Sequence, residues 1–151
     1  MTNEGMKAVR RALNIIAYAP NTEAQLTEKL LARGHGPGSV KEAIAYLRKK
    51  GYIDERAHLY RLVEQLGNVR GYGRSRIFQA LKQKSFNDAL IDECFEDACA
   101  QVDFVSACAK KIAADKRTDK DKILTSLRRY GYDYTTIKAA YKRVKEEHEQ
   151  E

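Results

Sequence analysis

Apolar residues four apart, followed after four more by a helix-stopping residue, occur three times: Leu26, Leu30 and Gly34; Ile77, Leu81 and Ser85; Ile123, Leu127 and Gly131. An interval of four returns to the same face of a helix, so each trio predicts a short amphipathic helix with a sharp end. Six and ten residues beyond each stop stand Val40 and Ile44, Ile91 and Phe95, Ile137 and Tyr141, which predict a second helix in the same register. A further helix precedes each trio, over Lys7–Ala19, Asp54–Gly67 and Asp103–Asp115, with apolar faces that include Leu13/Ile16, Leu59/Leu62/Val63/Leu66 and Phe104/Val105/Cys108/Ile112. Five matched positions in three copies define a repeat of about 45 residues built as helix–helix–helix.

The expected fold is therefore all-α: three tandem three-helix repeats stacked into an elongated, curved array. Single units of this size have too little interior to stand alone and are completed by their neighbours. The predicted boundaries are a frayed N-terminus at 1–6, repeats at 7–51, 52–102 and 103–148, and a charged tail at 149–151. In the first helix, Ala8, Leu13, Ile16 and Ala17 are expected to face inward.

Helix punctuation supports this register. Thr22 and Gln25 form a capping box for the helix carrying Leu26, and Gly34 ends it as a left-handed cap. Gly36-Pro37 and Ser39/Glu42 compete as the next start. The repeat chooses Gly36, because Asn87 and Asp133 also stand two residues after their stops. Asp54-Glu55 read as the charged first turn of a helix.

With 151 residues, 43% hydrophobic and 32% charged, and without Trp, the chain can bury a core, but a thin one. No apolar run reaches the ~20 residues of a membrane span, and MTNEGMKAVRR lacks the apolar stretch of a signal peptide, so a cytoplasmic protein is expected. Cys94, Cys99 and Cys108 are odd in number and spaced neither as a zinc knuckle nor as a redox pair. His35, His58 and His148 are scattered, and GYGR lacks the Gly-Lys-Ser/Thr of a phosphate loop. No catalytic, cofactor or metal site is expected.

The net charge of +7 is distributed as +5 over 1–51, −1 over 52–102 and +3 over 103–151. The middle is neutral only on average, since a basic helix (Arg70, Arg74, Arg76, Lys82, Lys84) precedes an acidic one (Asp88, Asp92, Glu93, Glu96, Asp97). Basic residues recur in register at three places in repeats two and three: Arg74 with Lys120, Arg76 with Lys122, and Lys82 with Arg128. The position before the first apolar residue points away from the core, so Arg76 and Lys122 are expected in matched, exposed settings. Tyr132 follows its stop as His35 and Phe86 follow theirs, where a side chain folds back as core or cap. Tyr72 and Tyr134 carry no such constraint and remain candidates for a partner surface.

GYIDE at Gly51–Glu55, the G-x-x-R-S-R-I-F-x-x-L-x-x-K stretch from Gly71 to Lys84, and LRRYGYDYTTIKAAY at Leu127–Tyr141 together resemble the RecX family. Ser85 stands where the family pattern usually has glycine, and the turn HGPGS is richer in Gly than usual. The resemblance, spanning about Ala12 to Val144, implies three tandem three-helix modules and a non-enzymatic, monomeric regulator. Its partner would be the RecA–DNA filament, whose ATPase, strand exchange and co-protease activities it most often inhibits, with weak binding of its own to single-stranded or duplex DNA. A stand-alone helix-turn-helix-like DNA-binding protein is the alternative. The candidate partner-binding residues are Arg70, Tyr72, Arg74, Arg76, Lys82, Lys110, Lys111, Lys120, Lys122, Arg128, Arg129, Tyr134, Lys142 and Arg143.

Overall fold

The computed structural model describes residues 1–150, and among these every regular element is helical. Nine α-helices run in order: α1 Asn3–Tyr18, α2 Glu23–Ala32, α3 Pro37–Lys49, α4 Glu55–Glu64, α5 Arg74–Gln83, α6 Asp88–Cys99, α7 Phe104–Ala114, α8 Lys120–Arg129 and α9 Tyr134–Gln150. A π-helical turn, Gln65–Val69, continues α4. The fold is all-α and built from three-helix repeats. No helix among the described residues is long and apolar enough to cross a membrane.

The ladder read from the sequence is the interior. Leu26, Leu30, Ile77, Leu81, Ile123 and Leu127 are all buried, as are Val40, Ile91 and Ile137. All three stops adopt a left-handed backbone, Gly34 at φ +88°, Ser85 at +61° and Gly131 at +98°. In the two glycine copies the residue after the stop donates its N–H back to the last turn, His35 to Leu30 and Tyr132 to Leu127. Serine carries a steric penalty in this conformation that glycine avoids, of roughly 1 kcal/mol. Ser85→Gly is therefore expected to stabilise the protein by about 0.5–1 kcal/mol, raising Tm by about 1–4 °C in a thermal melt. A fall in Tm would show that the serine side chain contributes more than its backbone strain removes.

The chain divides into two compact units. The first comprises residues 1–59 with 82–92. Its core joins Ala8, Val9 and Ala12 of α1, Leu26 and Leu30 of α2, and Val40, Ala43, Ile44 and Leu47 of α3. Of the expected inward face of α1, Ala8 is buried and Leu13 and Ile16 pack partly buried against this core, but Ala17 is exposed, and Gly5, Val9 and Ala12 are buried as well. The start of α1 also differs, because residues 3–6 are helical rather than frayed. Thr2 caps the helix by accepting from the Gly5 amide, and its own amide and hydroxyl donate to Glu42 at 2.7 and 3.0 Å. At the other end of the chain, α9 continues through residues 149 and 150, so these belong to the last helix and not to a separate tail; residue 151 lies outside the described residues.

The capping box of α2 is formed as expected, and Gly36 is the N-cap of α3 with Pro37 at its first position. Thr22 also ties α2 to the end of α5, since its buried hydroxyl donates to the Lys84 carbonyl at 2.8 Å. Asp54 caps its own helix through the Ala57 amide, but Glu55 reaches elsewhere. Its two oxygens accept from the Glu23 and Asn87 amides at 2.7 and 3.0 Å, so one carboxylate serves the N-termini of α2 and α6.

The second unit comprises residues 60–81 with 93–151. Cys108, Ala109 and Ile112 of α7, Ile123 and Leu127 of α8, Tyr132, and Ile137 and Ala140 of α9 form its buried cluster. The π turn lies over Gly67, where the Val102 methyl groups occupy the space a Cβ would need. Cys94, Cys99 and Cys108 are buried free thiols, and burial raises those of Cys99 and Cys108 to about 11.

Candidate partner-binding surface

Two glycines set the geometry of the second unit's basic surface. The Gly73 N–H, just before α5, donates to the Tyr130 carbonyl at 2.7 Å, at the end of α8. The Ser75 amide and hydroxyl both donate to the Gly131 carbonyl, at 3.3 and 3.2 Å. A Cβ on Gly131 would lie 2.6 Å from the Arg76 nitrogen, and one on Gly73 would fall on the Gly131 carbonyl group. Backbone therefore packs on backbone here. The Tyr132 hydroxyl, on a ring 4% exposed, donates to the Gly71 carbonyl and ties the same junction, in keeping with its expected place in the interior.

This junction brings together side chains that are far apart in sequence. The Arg76 guanidinium lies 4.1 Å from the Tyr72 ring centre and 5.6 Å from that of Tyr130. Arg70 lies over Tyr72 at 5.4 Å, and the Lys111 ammonium over Tyr130 at 3.7 Å. Such cation–aromatic contacts hold long side chains in place while leaving their charge available. Next to them, a cleft of about 330 Å³ is lined by Arg70, Gly71, Asp103, Ser106, Lys110 and Lys111, among others. Arg143 donates to the Ser106 hydroxyl at 2.6 Å. Hydrogen bonds from the Ser106 amide and hydroxyl hold the Asp103 carboxyl below its ordinary value, so the cleft keeps one anion among its cations.

Six of the candidates, Arg70, Tyr72, Arg76, Lys110, Lys111 and Arg143, thus share one region. The others do not. Lys120, Tyr134 and Lys142 line a separate groove, and Lys122 and Arg129 a shallow cleft with Arg117 and Asp121. Arg128 is exposed on α8. Lys82, in the first unit, pairs with Asp88 at 2.6 Å. Arg74 is paired with Glu96 and lies 5.4 Å from the Phe95 ring centre, so its charge is already met within the molecule.

Two expectations are corrected by this placement. Arg76 and Lys122 are not in matched settings: Arg76 is half-buried between two tyrosines, whereas Lys122 is exposed. Repeat three has Thr118 where repeat two has Tyr72, so the ring that holds Arg76 has no counterpart beside Lys122. Nor is Tyr72 unconstrained, since Arg70 and Arg76 both pack on it; Tyr134 is 67% exposed. The residue missing from the candidate set is Tyr130. Its signal was the pair of tyrosines flanking Gly131, of which only Tyr132 faces the interior.

Residues 8–47 match the family model described as RecX, first three-helix domain. A regulatory protein RecX from Chlorobaculum tepidum is 30% identical over 148 residues, covering 94% of this chain and 92% of the relative. One from Halorhodospira halophila is 32% identical over 142 residues, covering 89% and 86%. The crystal structure of RecX from Lactobacillus salivarius matches with a TM-score of 0.77 at 22% identity, covering 96% of this chain and 99% of that one, a likeness of fold. On the two sequence relationships, which run through nearly the whole of each protein, the chain belongs to the RecX family of regulatory proteins.

Proposed function

We propose that this chain is a non-enzymatic, cytoplasmic, monomeric regulator that binds the RecA–DNA filament and lowers its ATP hydrolysis, strand exchange and co-protease activity. The observation that supports this reading is the clustered set Arg70, Tyr72, Arg76, Lys110 and Lys111, a basic surface held by aromatic rings, in a chain of the RecX family. A cationic surface of this kind suits an acidic protein face or the phosphates of filament DNA. The three repeats, at 7–51, 52–102 and 103–148, supply separate helical faces for neighbouring filament subunits. Holding those subunits in one arrangement would hinder the spacing changes of the ATP cycle.

Competition binding at about 150 mM salt, where simple phosphate attraction is weakened, tests the reading. The expected result is a preference for the RecA–single-strand filament over the same DNA without protein, and inhibition of ATP hydrolysis at substoichiometric doses. Equal affinity for filament and naked DNA would favour a stand-alone DNA-binding protein. Inhibition only at doses equal to the total recombinase would mean sequestration of free subunits.

A further inference from the structure

The third repeat carries a groove apart from the basic cluster on which the filament reading rests, although Lys120, Tyr134 and Lys142 of its lining are among the candidate partner-binding residues. It has a volume of about 1020 Å³ and lies along α8 and α9, with one wall from α7. Its floor is Ile112, Leu124, Ile137, Tyr141 and Val144. Leu124, Tyr141 and Val144 are only partly buried and pack directly on the unit's core. An apolar strip of this size, continuous with the interior and open to solvent, is the kind of surface that takes a partner's side chains.

The charges around the floor say what that partner is. Lys120, Lys138, Lys142 and Lys145 stand exposed around the floor, opposed only by Asp121 among the groove's charged residues. A nucleic acid would need its cations along a track that follows the phosphates, whereas these ring an apolar floor.

We propose that this groove docks an acidic amphipathic segment of a partner protein, its apolar side chains on the floor and its carboxylates against the four lysines. Binding of this kind needs neither nucleic acid nor recombinase, so it is separable from the filament activity.

The probe is a fluorescein-labelled peptide of about 14 residues with leucines at i, i+3, i+4 and i+7 and glutamates between them, followed by anisotropy with the full chain. Its controls replace glutamate by lysine, or leucine by serine. The acidic leucine peptide is expected to bind at least about tenfold more tightly than either control, and Lys138→Glu/Lys142→Glu to weaken it by about tenfold or more. Equal binding of either control, or unchanged affinity in Lys138→Glu/Lys142→Glu, overturns the proposal. So does displacement of the peptide by oligothymidylate as effectively as by unlabelled peptide, which would make the groove a nucleic-acid site. Dimerisation of the chain, or binding to phosphatidylglycerol vesicles, that blocks the peptide and is lost in the double lysine variant would likewise assign the groove to a second copy or a membrane and overturn it.

Discussion

Gly73→Val is expected to cost about 3 kcal/mol or more of folding stability, because Gly73 is buried against backbone. No side-chain movement can make room, because what meets the added Cβ is the Gly131 carbonyl group, which is backbone. The junction must open, and with it go the Gly73–Tyr130 and Ser75–Gly131 hydrogen bonds. A drop in Tm of about 6–12 °C corresponds to that loss in a chain of this length. Gly38→Ala provides the contrast, since a Cβ there meets nothing and the residue lies inside α3. That change is expected to raise stability by about 0.5–1 kcal/mol, as removing glycine from a helix does. Comparable losses in both variants would refute the account of the Gly73–Gly131 contact.

The contrast between these glycines also shows what could be read from the chain. Gly34 and Gly131 are legible as helix stops because they recur at a fixed interval after a pair of apolar residues, and local sequence determines a left-handed cap. Gly131's second role was not legible. It depends on Gly73 arriving from 58 positions away, and nothing in a helical period reports such an approach. The same limit explains Arg76. Its outward direction on α5 follows from periodicity, but the Tyr130 ring that covers it comes from another repeat. Glu55 is legible as a first-turn carboxylate and stands in that turn, but its partners, the Glu23 and Asn87 amides, lie 32 residues away on either side. For α1 the error was of another kind. The expected face, Ala8, Leu13, Ile16 and Ala17, is rotated from the buried one, which centres on Gly5, Ala8, Val9 and Ala12 and leaves Leu13 and Ile16 at its edge.

Those placements decide which charges to reverse when the filament reading is tested by mutation. Arg76→Glu removes a guanidinium held between two rings, so it is expected to cost about 1–2 kcal/mol of stability and gives a mixed result. Arg70 and Lys110 are better targets, because both are exposed and both line the cleft beside the stacked tyrosines. Exposed substitutions away from caps and core move folding free energy by less than about 0.5 kcal/mol, whereas reversing charges that meet opposite ones across an interface costs several. Arg70→Glu/Lys110→Glu is therefore expected to weaken filament binding by roughly 30- to 100-fold at about 150 mM salt, with Tm changed by less than about 2 °C. The salt dependence should become shallower as well, since fewer counterions are released per binding event. Lys122→Glu, on the shallow cleft with Arg117 and Arg129, is expected to have a smaller effect. A folded Arg70→Glu/Lys110→Glu protein that binds the filament with wild-type affinity would remove this surface from the interface, and a larger loss from Lys122→Glu would place the contact on α8 instead.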